Sequence, residues 1–371
     1  MADAPNYWDY LQLQTLLSLQ SGLAGDDREV RPDELHFIIT HQVFELWFKL
    51  ALAELRHARD HLAAPEVPEE HVPYVVHHLR RVNSVLRLAV STFEVMETLT
   101  PQDFLDFRDK LTPASGFQSF QLREIELLMG LSDEQRIRYG NTDPIEHIRK
   151  LATGERGEHV HNQLNRARSE QSLRKSLHLW LYRTPIQGST PDNPRDAEVV
   201  QAFVAAYLAS VAAHHDAQAE RLIAVGVSGA EGVRARFAKN TESARRFLLG
   251  LDISDASDRA WRRRVRAGLL FIESYRELPL LAWPRLLVDT MVEFEEQMVL
   301  FRTRHARMVE RIIGRRVGTG GSSGVDYLDE TTRLRIFTDL WSVRTLMLPR
   351  TSLPPIQHAD LYGFAEAYPT P

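Results

Sequence analysis

The stretch Asp289–Gly324, DTMVEFEEQMVLFRTRHARMVERIIGRRVGTGGSSG, decides the fold class. Met291, Phe294, Met298, Phe301, His305, Met308 and Ile312 recur at three- and four-residue intervals, the repeat of one face of an α-helix. The spacing predicts a long amphipathic helix with Glu293, Glu296, Arg302, Arg304, Arg307, Glu310 and Arg311 on its wet face. His305 falls in the dry seam, where an imidazole needs a partner, and a backbone carbonyl would satisfy it. Phe301 and Met308 support a second reading. Flat or soft side chains of this kind wall a planar aromatic cofactor, and the imidazole between them would be its one axial ligand. Gly314 ends the helix, and Gly318-Thr319-Gly320-Gly321-Ser322-Ser323-Gly324 then offers closely approachable backbone and three hydroxyls. This loop lacks a Gly-Lys-Ser/Thr ending and follows a helix rather than a strand, so it is neither a P-loop nor a dinucleotide fingerprint.

Helical periodicity runs through nearly the whole chain, while alternating β-branched runs are almost absent, so the expected fold is all-α. With 371 residues, 43% of them hydrophobic, the chain can bury a sizeable core. The expectation is a single domain over residues 1–371 with a helical insertion at about 185–260. A formal charge of -5 provides no basic field for nucleic acid, and the lack of cysteine excludes disulfides and thiolate ligands. The N-terminal Met-Ala-Asp-Ala-Pro-Asn-Tyr has no charged segment followed by an apolar run, and no stretch of eighteen apolar residues occurs. A soluble, cytoplasmic protein with no membrane partner is therefore expected.

Further segments carry candidate chemistry. Tyr7, Trp8 and Tyr10 open a short helix, and such an aromatic cluster either packs on its own domain or reaches into a neighbouring subunit. Asp33–Lys49 reads as a strong helix continuing to about His61, with Phe37, His41, Phe44 and Phe48 on one face. If this helix faces the first across a planar cofactor, one imidazole lies on the metal and the other on the open side. Val72–Leu99 reads as a scaffold helix. Thr100-Pro101-Gln102-Asp103 is an N-cap signal for a short helix that carries Phe104 and, one turn on, Arg108. Arg108 is either placed to fix a carboxylate bidentately or is a surface arginine paired with Asp106 or Asp109. Gly116–Gly130 is another amphipathic helix. Between residues 131 and 260, Gly154–Gly157 and Thr190–Pro194 read as loops, and helices lie around Leu173–Tyr182 and Val199–Val225. His159, His161, His214 and His215 lack metal-site spacing and read as solvated. Trp261–Glu277 is a helix with arginines on one face and Leu269, Phe271, Ile272 and Tyr275 on the other, and the Pro-rich tail is expected at the surface.

The chain resembles the tryptophan 2,3-dioxygenases, haem enzymes that open the indole ring of L-tryptophan. The resemblance rests on YWDYLQL at 7–13, FIITHQ at 37–42, ELWFK at 45–49, DFLDFR at 103–108, PASGFQS at 113–119, RHA at 304–306 and GTGGSSG at 318–324. It implies a helical bundle enclosing a b-type haem, with His305 as proximal iron ligand and His41 as the distal histidine that contacts the indole N–H. It further implies that Phe37 and Phe104 flank the indole, Arg108 binds the carboxylate, Thr319 holds the ammonium and carboxylate end, and Ser115 lies beside the haem. Tyr7 and Tyr10 would close the pocket of an adjacent subunit in a homotetramer. Trp8 departs from the glycine common at its position. The implied reaction uses ferrous haem and O₂ to give N-formyl-L-kynurenine, the first step of the kynurenine pathway of tryptophan catabolism. Two alternatives stay open: a haem-dependent monooxygenase of tryptophan or a substituted tryptophan, and a haem sensor ligated by both His41 and His305.

Overall fold

Local signals set the helix boundaries. The Thr100 side chain accepts from the Asp103 N–H with Pro101 at the first helical position, and Ser119 caps the next helix in the same way. Gly130, at φ 109°, stops that second helix in a conformation open to glycine.

The computed structural model describes residues 4, 6–23, 25–138, 142–226, 229–320 and 324–363, with only the backbone of Glu69. In chain order, α1 (Tyr7–Tyr10) and α2 (Leu13–Leu16) precede the 32-residue α3 (Pro32–Ala63). Then come α4 (Val72–Met96), α5 (Pro101–Leu111), α6 (Phe120–Met129), α7 (Pro144–Leu151), α8 (Gly154–Ser169) and α9 (Leu173–Arg183). The chain continues through α10 (Asp196–Ala224), α11 (Ala230–Leu248), α12 (Ala256–Ser274), α13 (Ala282–Ile313), α14 (Val325–Thr331) and α15 (Thr338–Arg344). Among the described residues no strand forms, and one isolated bridge joins Ile186 and Ser189, so the fold is all-α as expected.

The chain packs as two compact units. The first contains residues 1–56, 80–170 and 294–334, and the second contains residues 57–79, 171–293 and 335–371, so the segment 185–260 falls wholly in the second. In the first unit, an aromatic knot joins α3, α4 and α13. Phe93 lies 4.8 Å from Phe44 and 5.1 Å from Phe301, and Phe48 lies 5.7 Å from Phe301. Burying each such ring contributes roughly 1.5–3 kcal/mol, and together they fix the helix faces that carry the two seam histidines.

The second unit centres on Phe203 and Tyr207 of α10, Phe271 of α12 and Tyr275 at the C-cap of α12. Its arginines correct the expected wet face of α12: Arg264 and Arg266 are buried. Arg264 pairs with Asp196 at 2.9 Å, and Arg266 grips Asp252 through two 2.7 Å hydrogen bonds and reaches Asp339. Carboxylates from distant segments make this burial possible. The described part of the tail lies mostly at the surface, as expected, and is fastened there at two points. Pro354 accepts from the Tyr275 hydroxyl at 2.9 Å, while buried Tyr362 donates to the Pro185 carbonyl and accepts from Gly188 N–H. Gly154 and Gly157, expected in a loop, instead open α8, and a Cβ on Gly157 would lie 2.2 Å from the carbonyl carbon of Ala152. By length and composition α10 is apolar enough to cross a membrane; its Val200, Phe203, Val204, Tyr207 and Val211 are buried in this chain.

Candidate active site

The predicted seam of α13 forms. Met291, Phe294, Met298, Phe301, Met308 and Ile312 are all at most 5% exposed, and His305 stands among them facing a cavity. Its ring lies parallel to that of Phe93, 5.6 Å away with 11° between planes, and 6.2 Å from Phe301. It hydrogen-bonds to no described residue. Burial, then the nearby His41 and Arg123, push its pKa from 6.5 down to about 4, so the ring is neutral at pH 7 and its lone pair is available. Among the described residues no three metal-binding side chains converge. An ion needing a full protein cage has none here, whereas a cofactor that brings its own equatorial ligands needs a single imidazole.

The face of α3 predicted to carry His41 borders the same cavity. Nδ1 of His41 lies 2.8 Å from the Phe37 carbonyl one turn earlier, which makes Nδ1 the donor and leaves Nε2 an acceptor. Burial lowers the His41 pKa, with the bond to Phe37 acting in the opposite direction. Phe37 packs 4.0 Å from His41 and 6.0 Å from Phe104, so the two phenyl rings and the imidazole form one aromatic wall.

The third wall comes from α5 and the glycine loop. Arg108 lines the cavity and donates to the Val317 carbonyl, while Asp106 is taken by Arg31 at 3.3 Å. No carboxylate among the described residues pairs with Arg108. Thr319 Oγ1 donates to the Ala114 carbonyl at 2.6 Å, and a Cβ on Gly320 would stand 2.8 Å from Ser115 Cβ. This close approach folds the loop onto Ser115, whose hydroxyl accepts from Phe117 N–H. Gly324, at φ +62°, leaves the loop with no room for a Cβ beside the Arg316 carbonyl. Gly321, Ser322 and Ser323 lie outside the described residues.

One cavity thus brings together His41, His305, Phe37, Phe104, Arg108, Ser115 and Thr319. Tyr7 and Tyr10 are not among its lining: on α1 they are 70% and 80% exposed, with Trp8 62% exposed between them. Sequence reading missed Phe93 and Met96, assigned to a scaffold helix, and Phe117 and Leu328, which also border the site. The dry-face repeat of α4 signalled their burial but not the cavity beyond. Arg302 corrects the predicted wet face of α13: it is 6% exposed and pairs with Glu126.

Comparison with known proteins places the chain in a family. The family model described as tryptophan 2,3-dioxygenase matches residues 2–347. A tryptophan 2,3-dioxygenase 2 of Ralstonia nicotianae is 48% identical over 366 residues, covering 97% of this chain and 98% of the relative. A tryptophan 2,3-dioxygenase of Sorangium cellulosum is 47% identical over 364 residues, covering 97% of this chain and 87% of its own. A tryptophan 2,3-dioxygenase-like protein of Xanthomonas campestris pv. campestris is 50% identical over 270 residues, covering 72% of this chain and 98% of the relative. With these matches spanning almost its full length, the chain belongs to the tryptophan 2,3-dioxygenase family.

Proposed function

We propose that this chain cleaves the indole C2–C3 bond of L-tryptophan with O₂ to give N-formyl-L-kynurenine, using haem b held through His305. One observation carries the reading: a neutral imidazole with no hydrogen bond and an arginine with no carboxylate partner among the described residues border the same aromatic-walled cavity. The residues fit a haem. A lone imidazole facing the cavity suits a single axial bond, and Met308, Ile312 and Phe117 supply apolar wall. When bound, ferrous haem would supply the activation of O₂.

The remaining work falls to side chains of this chain. Arg108 would clamp the substrate carboxylate with its planar fork, exchanging the Val317 carbonyl for a charged acceptor. Thr319 would accept from the substrate ammonium, with Ser115 beside it near the haem edge. Phe37 and Phe104 would flank the indole and exclude water. With Nδ1 committed to Phe37, His41 Nε2 would accept the indole N–H, holding the ring in one orientation. Fixing both ends of the substrate is an orientation effect, which can lower a barrier by several kcal/mol. Exposed Tyr7 and Tyr10 fit a role in a homotetramer, closing the cavity of a second copy.

Both atoms of O₂ enter the product, so no external reductant is consumed. Turnover under isotopically labelled O₂, with mass spectrometry of the product, tests the proposal. Two labelled atoms in a ring-opened product are expected; one label in an oxindole or hydroxylated indole overturns it in favour of monooxygenation. The ferrous protein is expected to be five-coordinate, and a low-spin bis-histidine spectrum would point instead to a sensor.

A further inference from the structure

A buried charge cluster lies one helical turn from His305. Arg302 donates to one oxygen of Glu126 at 3.3 Å, and Arg123 donates to the other at 2.7 Å. None of these three side chains is more than 7% exposed. Burial alone would raise the Glu126 carboxyl, yet Arg123, Arg302 and Arg136 hold it below the ordinary carboxylate range. Arg123 also hydrogen-bonds Tyr327, whose ring meets Phe117 edge-on at 4.9 Å. A single carboxylate therefore ties α6 to α13 and, through Arg123, to α14.

Ligand histidines are usually oriented by a hydrogen bond from their second nitrogen. His305 has none to a described residue, so its ring plane rests on the Phe93 stack and its position on the α13 backbone. The apolar seam of α13 fixes which face of the helix turns inward, but it is non-directional and supplies no polar partner that sets position along the axis. Charged hydrogen bonds are directional, and a buried ion pair is seldom worth more to stability than apolar packing of the same volume. Its most economical use one turn from His305 is to set position.

We infer that Glu126, bracketed by Arg123 and Arg302, is a positioning residue for His305: it locks the register of α13 against α6 and so sets where the imidazole stands in the cavity. The inference rests on the reading of His305 as axial ligand.

The test uses the full chain loaded with haem. Its readouts are the iron–histidine stretching band of the ferrous protein and the rate of haem transfer to apomyoglobin. Glu126→Gln and Arg302→Met are expected to shift and broaden the band and to speed haem loss about 10- to 100-fold, the usual cost of losing an outer-shell partner. Arg302→Lys, which keeps the ion pair, should restore most of the band position and carries the test if the harsher variants do not fold. Asp196→Asn breaks a comparable buried pair with Arg264 in the second unit and should lower thermal stability without moving the band. Folded Glu126 and Arg302 variants with wild-type band and haem-loss rate overturn the positioning role. So does an Asp196→Asn band shift as large as that of Glu126→Gln, because general loosening then explains both. If wild type lacks the band, or His305→Ala retains it, the axial-ligand reading falls and the positioning role with it, a result the Glu126 and Arg302 variants cannot imitate.

Discussion

Two histidines, one in each unit, are kept neutral by the same cause and left in different circumstances. Burial is the largest influence on both, pushing His178 of α9 to about 3 and His305 of α13 to about 4. His178 accepts from Arg262 at 3.0 Å, and Arg262 is paired with Asp339 at 2.7 Å. His305 meets aromatic rings and a cavity, with no hydrogen bond to a described residue. The arginines divide in the same way: Arg264 and Arg266 hold carboxylates of their own chain, while among the described residues Arg108 holds a backbone carbonyl and no carboxylate. Burial and a perturbed pKa therefore do not mark a site by themselves. A polar group closed by its own chain is structural, and one left open toward a cavity is available to a ligand.

The largest effect that would sharpen this contrast is expected from His305→Ala. Haem uptake and turnover should fall by more than about 100-fold, beyond the usual cost of losing an outer-shell partner. His178→Ala should leave haem uptake intact and cost about 1–3 kcal/mol in urea unfolding, because Arg262 loses a buried acceptor. The reverse pattern would break the comparison.

Arg108→Ala should raise the barrier for L-tryptophan by about 2–5 kcal/mol in kcat/KM, with lysine a poor substitute for the planar fork. Tryptamine, which lacks the carboxylate, should show little of that penalty. A value for L-tryptophan within about threefold of wild type would place Arg108 with ordinary surface arginines, whose removal costs about 0.5 kcal/mol or less.

The histidine of the second unit has a pH signature. Its folded pKa is depressed below the unfolded 6.5, so its contribution to stability is complete above pH 6.5 and is lost as pH falls toward about 3. The loss should approach about 1.4 kcal/mol per pH unit. His178→Gln should flatten this acid limb in a series of urea midpoints, and an unchanged slope would assign it to other groups. The smallest effect expected is that of Thr319→Val, which removes the bond to Ala114 and should cost about 0.5–1.5 kcal/mol, read mainly in KM.

Much of the site was legible because its signals are local. The three-four repeat placed His305 and His41 on dry helix faces, and Thr100 and Pro101 marked where α5 begins, which in turn fixed Phe104 and Arg108 on one face. Motif order along the chain supplied the family. Those features depend on periodicity and capping within a few turns, which short-range sterics and hydrogen bonding decide.

Whether a charged residue is wet or buried depends instead on carboxylates far away in the chain. Arg302 reads as a wet-face residue until Glu126, 176 residues earlier, removes it from water. Arg264 and Arg266 read likewise until Asp196, Asp252 and Asp339 reach them. Phe93 reads as core packing, and only the fold lays it parallel to His305. Sequence determined which faces are apolar and where helices start. Tertiary structure alone decided which polar groups find partners, because the free energy of burying a charge is set by what lies opposite it in space.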